Sequence, residues 1–203
     1  MSRAVLFTLV AVAALVLSPG VARADPPPGL GDCTFFPKPA CDVSLVAELA
    51  VGGGQSHSGA GTRAFFYGFA ETGVLFPVRG ARHLHMGPVF ALGIEPNNDG
   101  LAWVGNPRIR ARWFVGGTDF LMEGGAGLQF RRYIAHEPPP TATHAGLMTE
   151  LALGYHGIVA AWAEVGGLHD FGGSGRDEAR WAAGIRANLV GWAAAFASIA
   201  DAF

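Results

Sequence analysis

Lysine is almost absent from this chain: Lys38 is the only one, against thirteen arginines. A soluble protein surface normally carries many lysines, so their scarcity argues against such a surface, although an arginine-rich genome would produce the same bias. Charged residues make up 15% of the chain and the net charge is −2, which excludes the basic surface expected of a nucleic-acid-binding protein. Because half of the residues are hydrophobic, the composition also excludes a disordered chain.

Long apolar runs are missing beyond the N-terminus, which excludes a later transmembrane helix of about 18 residues. The N-terminus itself has the parts of a signal peptide: a positive charge at Arg3, the apolar run AVLFTLVAVAALVLS, and an A-x-A cleavage site at residues 22–24. That apolar run is short for a spanning anchor. We therefore expect residues 1–24 to be a signal peptide cleaved near Ala24, and the mature protein to be exported.

Cysteine is scarce as well, with only Cys33 and Cys41 present. An even number of cysteines in an exported chain predicts a disulfide. A lipid-anchored cysteine is disfavoured by Asp32, and a zinc site is disfavoured because no histidine lies at ligand spacing. Both cysteines belong to a proline-rich segment, residues 25–42, which we expect to lead into the folded domain at 43–203.

From Val43 onward, apolar residues alternate with glycine or polar residues, which is the signature of β-strands. The pattern predicts strands at 43–51, 84–95, 108–115, 118–134, 146–155, 158–168 and 177–189. An eighth strand at about 63–76 is less regular, because both of its faces carry aromatic residues.

The connections between these strands alternate in length. Long loops are predicted at 53–61, 96–106, 135–143 and 169–176, and short turns at 77–81, 116–117 and 156–157. Short turns on one side and longer loops on the other are typical of outer-membrane barrels, and eight strands can close into an up-and-down antiparallel β-barrel without exposed edges. Residues 190–203 fit either a helix or a strand, and the terminal Phe203, which resembles the final aromatic residue of outer-membrane barrels, slightly favours a strand.

The polar face of the predicted strands is rich in glycine and carries charges of both signs. An eight-stranded barrel has an interior just wide enough for side chains, so small residues and mutually paired charges suit that interior. We therefore predict an interior charge network formed by Glu48, Glu123, Glu150, Glu164, Arg110, Arg112, Arg131 and Arg186. Further candidates on the same face are Glu95, Glu178, Arg108 and Arg180, and Trp162 should also point inward. The alternative is an ordinary solvated face of a soluble sheet.

These features together resemble the small eight-stranded outer-membrane β-barrels, of which the OmpA transmembrane domain is the familiar example. The resemblance covers roughly residues 43–190 and rests on the signal peptide, the strand alternation and the rhythm of the loops. It implies a protein whose partner is the lipid bilayer of the outer membrane. No diagnostic motif of the family matches, so the resemblance carries no functional residue over to this chain.

No catalytic, cofactor or metal site is evident in the sequence. His83 and His85 share a strand face but lack a third metal ligand, so a structural pair is expected. His57, beside two serines, and His169 lie in predicted loops, where a lipid-modifying hydrolase would need a serine, a histidine and a carboxylate to meet. The sequence thus favours a non-enzymatic outer-membrane barrel with a structural, adhesive or narrow-pore role. The alternative is a soluble, lipocalin-like barrel that binds an apolar ligand inside, and the direction of Leu92, Leu128 and Leu151 distinguishes the two.

Overall fold

A computed structural model of the chain describes residues 41–97, 100–116, 118, 120–134, 143–155, 157–171 and 177–189. The eight strands are β1 (Ser44–Ser58), β2 (Gly61–Val78), β3 (Ala81–Asn97), β4 (Gly100–Phe114), β5 (Phe120–Ile134), β6 (Thr143–Tyr155), β7 (Val159–Asp170) and β8 (Glu178–Asn188). The predicted signal peptide, most of the proline-rich segment with Cys33, and residues 190–203 lie outside the described residues. Within the described residues, no helix is long and apolar enough to cross a membrane.

The strands form one closed barrel in sequence order. Each strand pairs antiparallel with the next, and β8 pairs antiparallel with β1, so that Glu48 lies opposite Glu71 on one side and Asn188 on the other. This architecture confirms the predicted eight-stranded up-and-down barrel. Closure matters physically because every strand obtains hydrogen-bonding neighbours on both sides and no edge is left open.

The two faces of the barrel wall have opposite chemistry. Inward positions hold most of the charged residues, with Arg110 0% and Glu71 3% exposed, whereas outward positions are apolar. Leu92, Leu128 and Leu151 are 51%, 46% and 43% exposed, so these side chains point away from the interior. The lipocalin-like alternative required them to line an inner cavity and is therefore wrong.

Two of the predicted long loops belong to strands instead. Residues 53–58 continue β1, and residues 96–97 and 100–106 extend β3 and β4. Glycine, serine and asparagine in these stretches favour loops locally, but pairing with the neighbouring strands overrides that preference. The glycines have a packing role: a Cβ on Gly52 would lie 2.7 Å from the Trp162 ring, and one on Gly54 would lie 2.8 Å from the Phe65 ring.

The predicted short turns lie where the pattern placed them, between β2 and β3, β4 and β5, and β6 and β7. Gly80 has φ of 85° and Gly157 has φ of 67°, values in the left-handed region that favours glycine in tight turns. We call the end of the barrel with these three turns the turn end, and the opposite end the loop end.

Candidate functional site

A closed ring of alternating charges fills the barrel interior toward the turn end. Four glutamates and four arginines take part, and each side chain is hydrogen-bonded to two of opposite charge. In order around the ring they are Glu48, Arg110, Glu71, Arg108, Glu150, Arg186, Glu123 and Arg112. We refer to this set as the ion-pair ring.

The contacts in the ion-pair ring are direct hydrogen bonds between guanidinium and carboxylate groups. Arg112 shows the pattern, because its Nε donates to Glu123 Oε1 at 2.5 Å while its Nη2 donates to Glu48 Oε1 at 3.2 Å. Arg108 likewise donates to Glu150 Oε2 at 2.6 Å and also to Glu71. Forked guanidinium groups suit such double contacts because their donors diverge in a fixed plane.

The ion-pair ring ties together six strands, and seven of its eight contacts join strands that are not adjacent in the wall. Its glutamates come from β1, β2, β5 and β6, while β4 provides three arginines and β8 provides one. The spacing of the β4 arginines at every second residue places all three on the inward face, as the sequence pattern required. Contacts across the lumen therefore reinforce the circumferential hydrogen bonds of the wall.

A second, smaller group of charges lies toward the loop end. Glu95 of β3 accepts hydrogen bonds from Arg131 at 3.1 Å and from Arg180 at 2.8 Å. Arg131 also lies 2.6 Å from Glu178, whose other oxygen is 3.7 Å from His144 Nε2. All of these side chains are buried, so the charges are compensated by one another.

An aromatic belt contacts both groups of charges. It consists of Phe65, Tyr67 and Phe69 on β2 and Trp162 on β7. Arg180 lies over the Phe65 ring at 4.2 Å and Arg108 lies 5.8 Å from the centre of the Phe69 ring, which is cation–π geometry. The belt also shows which face of β2 points inward, which the sequence did not determine. Phe65, Tyr67 and Phe69 point inward, while Phe66 is 73% exposed.

Glu164 is the exception among the buried glutamates. It lies on β7 directly opposite Glu150 of β6, and its side chain is buried. Neither of its carboxylate oxygens has a hydrogen-bond partner among the described residues. Glu150, by contrast, contacts two arginines of the ion-pair ring.

The structure brings most of the predicted network residues together. The ion-pair ring contains Glu48, Glu123, Glu150, Arg110, Arg112 and Arg186, and the loop-end group contains Arg131. Glu164 also lies inside, but it has no ion pair with any described residue. The sequence prediction missed Glu71 as a network member. Glu71 lies on β2, where both faces carry aromatic residues and the inward face could not be assigned from the sequence. The charge of Glu71 was the signal that its face, which it shares with three aromatic residues, points inward.

Two of the histidines, His85 and His57, have local structural partners, whereas His83 Nδ1 has no hydrogen-bond partner among the described residues. His85 is buried, its Nδ1 lies 2.8 Å from Ser44 Oγ, and its ring contacts Phe114. His57 Nδ1 lies 2.8 Å from Thr62 Oγ1 across the β1–β2 hairpin. In the part of the chain that the structure describes, no group of three or more histidine, cysteine, aspartate or glutamate side chains is arranged to hold a metal ion.

An open cleft lies on the outer wall at the loop end, with a volume of about 780 Å³. It is lined by His57, Ser58, His169 and Asp177 together with small and apolar residues of β6, β7 and β8. His169 Nδ1 lies 2.6 Å from Asp177 Oδ1, and both side chains are exposed. Ser58 Oγ instead accepts a hydrogen bond from Ala60 N at 3.2 Å within its own turn, so the described contacts assemble no serine–histidine–carboxylate triad.

Comparison with known proteins gives one structural likeness. The chain is similar to the crystal structure of Neisserial surface protein A (NspA), with 13% sequence identity and a TM-score of 0.45, over 72% of this chain and 99% of that chain. No protein-family model matches the sequence, and no curated protein matches it.

Proposed function

We propose that this protein is a non-enzymatic β-barrel of the bacterial outer membrane, with a structural or adhesive role rather than a pore function. The observation that carries the proposal is the polarity of the barrel wall, which is opposite to that of a soluble barrel: charges point inward and apolar side chains point outward. Water outside such a barrel would face a continuous apolar surface, which a soluble monomer rarely exposes. A bilayer is the solvent that this surface fits.

The outer face is almost free of charge. Among the strand side chains that the structure describes, Arg132 is the one charged residue on that face. Every strand carries apolar residues on its outward face, for example Ile94 on β3, Ile109 on β4 and Leu153 on β6, which are 42%, 52% and 54% exposed. The strands are 11 to 18 residues long, which exceeds the roughly nine to eleven residues that a tilted strand needs to cross a bilayer.

The filled interior disfavours a pore. Arg110 and Arg112 are fully buried within the ion-pair ring, and the cavity beside Arg112 and Glu48 has a volume of about 10 Å³. That volume is about the space that one water molecule occupies. A hydrated ion would have to displace several buried ion pairs to pass, so the narrow-pore role is the weakest of the three roles.

Two parts of the proposal concern the N-terminal region: cleavage near Ala24 and a disulfide between Cys33 and Cys41. Cys41 is buried at the start of the described residues, and Cys33 lies outside them. Intact mass measurement of the purified mature protein, with and without reductant and thiol alkylation, tests both. The expected masses correspond to a chain that begins at Asp25 and carries no alkylatable thiol before reduction.

Cell fractionation and gel mobility test the membrane assignment. The protein should be recovered from the outer-membrane fraction only in detergent, and unboiled samples should migrate differently from boiled samples. Recovery of a freely soluble protein from the periplasm would overturn the proposal. The lipid composition of the host outer membrane should be unchanged by deletion or overexpression, since the proposed role includes no lipid-modifying activity.

A further inference from the structure

The buried glutamates and arginines of the lumen divide into two balanced groups and one remainder. The ion-pair ring matches four glutamates with four arginines. The loop-end group matches Glu95 and Glu178 with Arg131 and Arg180. Every buried arginine among the described residues belongs to one of these two groups. No such arginine is left over for Glu164, although this residue is only 3% exposed.

Glu164 faces a second carboxyl group on the adjacent strand. Glu150 lies directly opposite it on β6, and both side chains are buried in the lumen. Like charges directly opposite each other destabilise a sheet, and two carboxyl groups at one site favour the retention of a proton by one of them. Glu150 is the ionised member, because its two oxygens accept hydrogen bonds from Arg186 and Arg108. A proton retained by this pair therefore resides on Glu164.

The other charged groups that face Glu164 already have partners. Besides Glu150, the main charges acting on its carboxyl group are Arg180 of β8, Arg108 of β4 and Glu95 of β3. Arg180 donates a hydrogen bond to Glu95, and Arg108 donates to two glutamates of the ion-pair ring. Both arginines retain N–H groups without a partner among the described residues, but their positive charges are compensated by these carboxylates.

Neutral side chains lie on the remaining sides of Glu164. Ala182 is directly opposite it on β8. Trp162, two residues away on β7, packs edge to face against Tyr67 of β2, with 6.0 Å between the ring centres. The Tyr67 hydroxyl accepts a hydrogen bond from Gln129 Nε2 at 3.0 Å. A buried surrounding of aromatic and uncharged groups disfavours an isolated negative charge.

We propose that Glu164 is a proton-binding site of the folded barrel, at which the carboxyl group stays neutral at pH values where an exposed glutamate is ionised. Release of the proton to solvent would place a second negative charge beside Glu150, and the two carboxylates would compete for Arg108. The bound proton thus keeps Arg108 on the carboxylates of the ion-pair ring. The site lies in the lumen and goes beyond the proposed function, because it does not depend on what surrounds the outer wall.

The pH dependence of unfolding tests the site, with Glu164→Gln as the permanently neutral reference. An unfolded glutamate loses its proton at about pH 4.3, so above about pH 5 the proton held by Glu164 is released on unfolding. The folded state then binds one proton more than the unfolded state, and stability falls as the pH rises. Between about pH 5 and pH 7, the unfolding constant of the unaltered protein, divided by that of the variant, should rise by up to about tenfold per pH unit. Urea unfolding in detergent, followed at each pH through the heat-modifiable gel band, measures this ratio.

A ratio that does not change with pH would overturn the proposal, because Glu164 would then be ionised in the folded barrel. A ratio that depends on the concentration of sodium or calcium instead of pH would show a bound metal cation in place of the proton, and would also overturn it.

Infrared spectroscopy of the folded protein gives a second readout that needs no unfolding. The carbonyl band of a protonated carboxyl group should be present at mildly acidic pH and missing from Glu164→Gln. Glu178→Gln is the matched control, because Glu178 is a buried glutamate with an ion-pair partner, Arg131, at 2.6 Å; it should retain the band. A band of equal strength in the unaltered protein and Glu164→Gln would place the proton elsewhere and contradict the assignment.

Discussion

At the scale of single residues, the interior is organised by which charges find partners. Removing one partner from a buried, hydrogen-bonded ion pair leaves an uncompensated charge, which costs about 3–5 kcal/mol. Glu150 and Glu164 lie opposite each other on adjacent strands, yet only Glu150 contacts arginines. Substituting each of these two residues therefore measures how much the ion-pair ring contributes to the free energy of unfolding, at two positions of the same height in the barrel.

Glu150→Gln should lower the free energy of unfolding by about 3 kcal/mol, because Arg108 and Arg186 each lose a carboxylate partner. Glu164→Gln, the matched control, breaks no ion pair among the described residues and replaces a buried, unpaired carboxyl group, so it should not lower the free energy of unfolding. Urea unfolding in detergent, followed through the heat-modifiable gel band, provides the comparison. Equal losses for the two variants would mean that the ion-pair ring does not carry the difference.

Interior glycines are a second feature at this scale. An added Cβ on Gly52 would lie 2.5 Å from the Ala183 carbonyl oxygen and 2.7 Å from a Trp162 ring carbon, and a backbone oxygen cannot move aside cheaply. Gly52→Val should therefore destabilise the barrel by about 1–3 kcal/mol or prevent its folding. Gly68→Val, where an added Cβ meets nothing within 4 Å, should fold with nearly unchanged stability. Folding yield into detergent, measured by gel mobility, separates the two.

At the scale of elements, the outward residues of β1 change from apolar to polar along the strand. On β1, Leu49 and Val51 are 48% and 58% exposed, whereas the outward positions toward the hairpin are Gln55 and His57. The strand therefore extends beyond its apolar stretch. This explains why β1 contains both an apolar outward stretch and polar residues of the kind found in loops.

In the proposed membrane location, Leu49→Lys should destabilise the barrel by about 2–4 kcal/mol, because it would place a charge against the apolar part of the bilayer. Gln55→Lys, six residues along the same outward face, should cost no more than about 1 kcal/mol near the interface. Urea unfolding from lipid vesicles measures both values. If the Gln55 variant loses as much as the Leu49 variant, the apolar boundary on β1 is placed incorrectly.

At the scale of the whole molecule, the barrel is closed around its circumference and filled along its axis. The ion-pair ring, the aromatic belt and the loop-end charges occupy successive parts of the interior, and the arginines of both charged groups contact the belt. The barrel's own side chains therefore block its lumen.

The purified protein should show no ion conductance in planar lipid bilayers at physiological salt. Passage through the interior would require breaking buried ion pairs with little water to replace them. A double substitution of Arg110 and Glu71 by alanine removes two members of the ion-pair ring and is the informative comparison if it folds. Stepwise, reproducible conductance by the unaltered protein would contradict the filled interior.

The sequence by itself determined the number of strands, their alternation and the division of each strand into a charged face and an apolar face. Those features are local, because a strand exposes alternate residues to opposite sides whatever it packs against. The alternation also identified Trp162 and most of the interior charges, including the three arginines of β4. It misjudged residues 53–58 and 100–106, where glycine and polar residues resemble loops until neighbouring strands pair with them.

Only the tertiary structure decided which face is the inside and which charges meet. The ion-pair ring joins residues of six strands that are far apart in sequence, and the spacing of Glu71, Arg108 and Glu150 along the chain gives no sign that they converge. The barrel's closure brings them together, and among the described residues Glu164 has no ion pair, although it lies beside a fully paired Glu150. The outer cleft arises in the same way, because Gly167 and Ala179, which line it, lie side by side only once their strands pair.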